Sequence, residues 1–176
     1  MSGHNKWSKI KHKKAATDAQ KSKIFGKLVR LIQVEAKKNA GNIESSGLRL
    51  ALEKANKANM PKDNIDRAIK KGNESGGDMQ EVLFEVYGPA GIGMIITGLT
   101  DNNNRTSQEI KHILSKNGGS LGAAGSVSWN FSQNKERDWV ANSTISVSPE
   151  DGEKLEKLIE AIEEQDDIQD IYVNAE

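Results

Sequence analysis

The sequence predicts an α+β fold: a basic three-helix N-terminal domain at 1–72, then a ferredoxin-like (βαββαβ) domain with an extra leading strand at 79–176. Three observations predict it. The hydrophobic period changes from helical to two near residue 80. The charge reverses there as well. Residues 1–72 hold 18 Lys and Arg against 6 Asp and Glu, a net +12, while residues 73–176 hold 7 against 19, a net −12. The formal net charge of zero therefore hides two halves of opposite sign, which argues for two domains with different jobs. Between them Gly72-Asn73-Glu74-Ser75-Gly76-Gly77-Asp78 is a linker by composition.

The first helix starts at a capping box, Thr17 with Gln20 three residues on. Ile24, Leu28, Leu31, Ile32 and Ala36 recur at helical spacing with Phe25 beside them, and Gly41 stands where a C-cap glycine belongs. Ser45-Ser46 caps a second helix with Leu48, Ala51, Leu52 and Ala55 inward. Pro61 opens the first turn of a third, with Ile65, Ala68 and Ile69 inward and Gly72 closing it.

Val82, Phe84 and Val86 alternate with Leu83, Glu85 and Tyr87 in a leading strand. Gly88-Pro89-Ala90-Gly91 turns the chain into a buried strand, Ile92 to Thr100. Thr106 to Glu109 reads as a second capping box, followed by Ile110, Ile113 and Leu114 on a helix that Gly118-Gly119 stops. The glycines at 118, 119, 122 and 125 lead into a strand, not a helix N-terminus, so they read as a loop rather than a phosphate cradle. Val127, Trp129 and Phe131 alternate as one apolar strand face, and another strand lies between Asp138 and Val147, with Ile145 and Val147 pointing one way. Ser148-Pro149 caps a helix carrying Leu155, Leu158, Ile159 and Ile162, and Ile168 to Val173 is the last strand. Without the leading strand the order is βαββαβ, which makes a four-stranded sheet with two helices on one face the expected arrangement.

The charge of the first half is densest from Gly3 to Lys38. Lys6, Lys9, Lys11, Lys13, Lys14, Lys21, Lys23, Lys27 and Arg30 crowd there with Trp7 and His12, against only Asp18 and Glu35. Two readings fit: a solvated basic helix end, or a surface for a polyanion, whose counterions each bound lysine releases. Lys6 to Ala16 has no apolar period of its own and reads as an arm that orders on binding. The stretch Asp101 to Thr106 also reads two ways. It caps the following helix, or Asn104 and Arg105 meet a phosphate or carboxylate.

The absence of cysteine excludes disulfides and thiolate chemistry. His4, His12 and His112 stand among or beside lysines, which disfavour a metal or an imidazolium. No catalytic residue, metal ligand or cofactor is expected. No apolar run reaches the roughly 20 residues that span a bilayer, and no secretory signal is evident, so a cytoplasmic place is expected.

Gly3-His4, Lys6-Trp7, Ile10-Lys11-His12, Lys13-Lys14-Ala15-Ala16 and Lys23-Ile24-Phe25 resemble the N-terminal signature of the YebC-type family. Tyr87-Gly88-Pro89, the Asp-Asn-x-Asn-Arg-Thr stretch at 101–106, and the run from Gly118-Gly119 to Gly125-Ser126-Val127 resemble it too. The resemblance implies a helical N-terminal domain and two α+β domains, one inserted in the other. Here the insertion is missing, since a short link after Phe131 leads to the family's last strand, helix and strand. Asn103 and Leu31 stand where the family usually has Arg and Glu. By resemblance the function is a DNA-binding transcriptional regulator, or else a ribosome-associated translational activator that binds RNA. Both need the basic arm. Neither a coiled-coil dimer seam nor a helix rich in base-reading Arg, Asn and Gln is evident, and the sequence leaves the oligomeric state open.

Overall fold

The computed structural model describes residues 17–75 and 78–176. By contacts these form two compact units, one up to Gln80 and one from Glu81 to Glu176.

The first unit is three helices: α1 (Asp18–Lys38), α2 (Ser46–Lys57) and α3 (Lys62–Ser75). The capping box of α1 forms as expected. Thr17 Oγ1 accepts from the Gln20 backbone N–H at 3.3 Å, and Gln20 Oε1 accepts from the Thr17 N–H at 3.4 Å. Ile32, Ala36, Leu48, Ala51, Ala55, Met60, Ile65 and Ala68 make the core, with Phe25, Leu28 and Leu31 packed against it. Four of those eight core residues are alanine, so the helices approach closely and dispersion replaces bulk.

Gly72 does not close α3, which runs on to Ser75. A Cβ at Gly72 would lie 2.6 Å from the Gln33 carbonyl oxygen and 3.0 Å from the Ala36 Cβ of α1. The residue is glycine because two backbones meet there, not because the helix ends.

The second unit holds β1 (Gln80–Tyr87), β2 (Gly93–Thr100), α4 (Asn103–Lys116), β3 (Ser120–Leu121), β4 (Phe131–Gln133), β5 (Trp139–Ala141), α5 (Pro149–Glu163) and β6 (Ile168–Val173). The sheet order is β3-β1-β2-β6. A short link, Gly88 to Ile92, joins β1 to β2 and leaves them only an antiparallel pairing. Since β3 is antiparallel to β1 as well, β2-α4-β3 is a split βαβ unit with β1 inserted between its parallel strands. The expected sheet with two helices on one face is therefore present. The leading strand, expected as an addition, is one of its two central strands.

Val82, Phe84 and Val86 of β1 and Met94 and Ile96 of β2 pack against Ile110 and Leu114 of α4 and Leu155, Leu158 and Ile162 of α5. On the opposite face Ile95 meets Val127 and Phe131, with Trp139, Ala141 and Tyr172 around them. Burial raises the Tyr172 phenol, with Asp170 and Asp138 adding to it, and its neutral O–H donates to Asp138 at 3.1 Å.

The strand expected at Val127 to Phe131 is replaced by a 3-10 turn, Ser128–Asn130, that leads into β4. Val127 and Phe131 are buried while Trp129 is 74% exposed, so the apolar alternation does not share one face. The β4–β5 hairpin is a separate two-stranded sheet. Ser120-Leu121, read as loop, forms the sheet edge instead, and beyond β5 Ile145 makes a single bridge to Ala175.

Two outcomes test this architecture. A fragment of residues 79–176 gives a cooperative thermal transition, because its two apolar clusters draw only on residues after Glu81. A broad, non-cooperative melt contradicts that. Gly72→Ala lowers stability by about 1–3 kcal/mol in denaturant titration, despite alanine's better helix propensity, because its Cβ meets backbone.

Candidate nucleic-acid interface

Lys6, Trp7, Lys9, Lys11, His12, Lys13 and Lys14 lie outside the described residues. The remaining basic candidates sit on α1. Its apolar stripe faces α2 and α3, which leaves the lysines of the helix at its sides. Lys21 is exposed, and Lys23, Lys27 and Arg30 are half-buried. Lys37 and Lys38 extend the charge to the last turn, where cations complement the helix dipole. Lys37 also reaches Asp78 at 3.5 Å, and Lys38 reaches the buried carboxylate of Glu35 at 3.6 Å.

The loop after β2 has more structural duty than the sequence suggested. Asn102, not Thr106, is the N-cap of α4, and its side chain accepts from the Arg105 N–H at 3.1 Å. Thr106 is buried inside the helix, where its hydroxyl donates to Asp167 Oδ2 at 2.7 Å and lies 2.8 Å from Thr100 Oγ1. Asp167 is 4% exposed. Arg105 compensates it: Nη2 stands 3.0 Å from Asp167 and 2.8 Å from Asp101. The bond to Asp167, with that to Asp101 behind it, raises the Arg105 guanidinium further above its ordinary value. Among the described residues Nε and Nη1 make no hydrogen bond, while Nη2, which both bidentate edges of the fork share, is taken by Asp101, Asp167 and Thr100. Asn104 is exposed on the first turn of α4.

The glycine-rich loop is braced, which the sequence did not reveal. Glu85 of β1 is 8% exposed, and its carboxylate accepts from the backbone N–H of Gly125 at 2.6 Å, Val127 at 3.0 Å and Ser128 at 2.6 Å. Burial pushes this carboxyl up. The bonds from Ser128, Gly125 and Val127 outweigh that and hold it below its ordinary value. Gly122 donates to the Glu85 carbonyl at 2.8 Å, and a Cβ there would overlap Ser126 Oγ and sit 3.0 Å from Tyr87 Cε2. Among the described residues no group of three His, Cys, Asp or Glu is placed to hold a metal, and no helix is long and apolar enough to cross a membrane.

Residues 5–75 match the TACO1/YebC protein N-terminal domain, and residues 79–135 and 132–175 match the TACO1/YebC second and third domain. The chain belongs to the TACO1/YebC family. Relatives in it include probable transcriptional regulatory proteins of Thermosipho africanus and Thermotoga maritima. Each is 39% identical and spans all of this chain and 94% of its own. A relative of the same description from Fervidobacterium nodosum is 40% identical over 99% of this chain and 93% of its own. A conserved hypothetical protein of Aquifex aeolicus, solved by crystallography, has the same fold. It superposes with a TM-score of 0.84 at 34% identity, covering 98% of this chain and 97% of that one.

The TACO1/YebC relatives align over 235 to 238 residues against 176 here, and the second-and-third-domain match breaks into two pieces at 132–135. That break falls at the β4–β5 turn, where the sequence places the missing insertion. A compact turn stands there: Asn134 Oδ1 accepts from the N–H of Glu136 at 3.0 Å and of Asp138 at 2.9 Å, with Arg137 at φ +63°.

Glu85→Gln loses about 1.5–3 kcal/mol at neutral pH, the worth of hydrogen bonds to a charged acceptor, read by denaturant titration. Because the folded carboxyl is held below its ordinary value, its contribution is full above the unfolded pKa. It disappears as pH falls through the folded one, so the two proteins converge in acid. Arg105→Ala lowers the melting temperature, since it leaves Asp167 buried without its cation.

Proposed function

We propose that this chain is a non-enzymatic, nucleic-acid-binding regulator of gene expression that grips the phosphate backbone of DNA. The observation that carries it is the concentration of charge, +12 within residues 1–72, with the basic side chains of α1 set off its apolar stripe. The relatives' description as probable transcriptional regulatory proteins supports DNA as the partner and regulation as the task. The cytoplasm is the expected place of work, and neither cofactor nor metal is required.

One observation favours a second reading, in which the partner is RNA on the ribosome. The candidate contacts are lysines and one tryptophan, which suit backbone contact and stacking rather than the reading of base edges in a groove. On this reading the arm and α1 hold backbone, while Asn104 and Arg105, through its Nε and Nη1, reach a second site. Two linked contacts raise affinity through effective concentration.

Lysate pull-downs with and without ribonuclease and deoxyribonuclease identify the nucleic acid. Joint replacement of Lys9, Lys11, Lys13 and Lys14 by Ala weakens duplex binding. It also flattens the slope of log affinity against log salt by about 0.9 per lost phosphate contact. Unchanged affinity at fixed salt removes the arm from the interface. Asn104→Ala separates the two readings without stripping Asp167 of its cation. On the ribosome reading it weakens binding to purified ribosomes and spares a free duplex; equal behaviour on both returns the loop to its structural role.

A further inference from the structure

Trp129 has the greatest exposure of the large apolar side chains described, 74%, and nothing in the packing of the fold requires it to be there. It stands on a 3-10 turn between two buried residues, Val127 and Phe131, that anchor the turn in the core. Its indole N–H donates to the Ser126 carbonyl at 2.9 Å. Tyr87, at the end of β1 and 37% exposed, donates its hydroxyl to the same carbonyl at 3.1 Å. One oxygen thus draws the polar edges of two aromatic side chains together. With its edge satisfied, the indole keeps most of its surface exposed, and the partly exposed phenol stands beside it.

The loop beneath them is held by the Glu85 carboxylate through three backbone N–H groups, so the pair is fixed before any ligand arrives. Leu83, two residues back on the same face of β1, is 46% exposed and extends the apolar surface.

Charge identifies the occupant. From Asn117 to Asn134 the sequence has no Asp, Glu, Lys or Arg, in a chain that is 28% charged. Glu85, whose carboxylate holds the loop below Trp129, is buried and bonded to backbone. The segment that carries Trp129 therefore brings no charge of its own in an otherwise acidic unit, and Lys116 and Lys135 flank it in sequence. An exposed indole with one phenol beside it is small for the core of a protein interface and the right size for one base.

We infer that Trp129, with Tyr87, is a stacking site for an unpaired base of a single-stranded nucleic acid. The site rests on the nucleic-acid reading above and adds to it a contact that the lysines do not make. A paired base inside a duplex has no free face to offer, so the site selects single strands.

The test measures binding of the full chain to oligouridylate and to an RNA duplex of the same length at one salt concentration. Trp129→Ala weakens the single strand roughly 5- to 150-fold, the range for losing one stacked base, and leaves the duplex unchanged. Trp129→Phe keeps most of the single-strand affinity, because a ring face remains. Both variants keep the parent's melting temperature, as expected at an exposed position. Equal losses on the two probes, or no loss on the single strand, overturn the stacking site. If the four-lysine variant loses both probes while Trp129→Ala loses neither, the nucleic-acid reading stands and only this site falls. If the unaltered chain binds neither probe, both readings fall together.

Discussion

The second unit depends on one carboxylate. Glu85 stands on a central strand of the sheet and collects the N–H groups of Gly125, Val127 and Ser128. Those donors would otherwise have to find a ladder or water. Their capture prevents a strand at 127–130 and sets the turn that carries Val127 and Phe131 onto Ile95. The same bonds outweigh the cost of burying the charge, which is why the carboxyl stays ionised. A glutamate that a strand pattern places on the solvent side thus organises the loop covering that side.

Asp167 solves the corresponding problem differently. It sits under the start of α4, where Thr106 donates to it from inside the helix and Arg105 covers it from the rim. Paired this way the buried acid fixes the entry of α4 against the turn before β6. The pairing also uses part of Arg105 for the fold. A guanidinium that shares one nitrogen between Asp101 and Asp167 faces two carboxylates, so its charge is already answered within the fold. Any role of this loop in binding therefore rests mainly on Asn104.

What the sequence made legible is local. The Thr17 capping box, the Ser148-Pro149 helix start and the alternation of β1 each depend on neighbours within a few residues, and each stands as expected. The errors all have distant causes. Gly72 looks like a helix stop because its reason, the Gln33 backbone, is 39 positions away. Thr106 looks like an N-cap because its partner, Asp167, is across the fold. Ser120-Leu121 is too short to show a period, and only the partner residues Val86 and Tyr87 make it a strand. Trp129 sat in a clean alternation, and a carboxylate 44 residues earlier turned it out. The basic surface was legible as composition, since charge density needs no fold to be counted.

The split of charge between the halves constrains how such a protein meets a polyanion. A net +12 over residues 1–72 and a net −12 over residues 73–176 give the two halves opposite responses to phosphate. On the proposed function the N-terminal half attracts the backbone, with counterion release as the main source of that binding. The acidic unit cannot do the same. It can approach a nucleic acid only where its own field is weak, through groups that do not depend on charge. Among the described residues of that unit the stretch from Asn117 to Asn134 brings no charge, and it carries the exposed indole of Trp129 on a loop bonded to Glu85. On the proposed function, charge segregation gives backbone contact to one unit and leaves uncharged, ring-face contact as the mode open to the other.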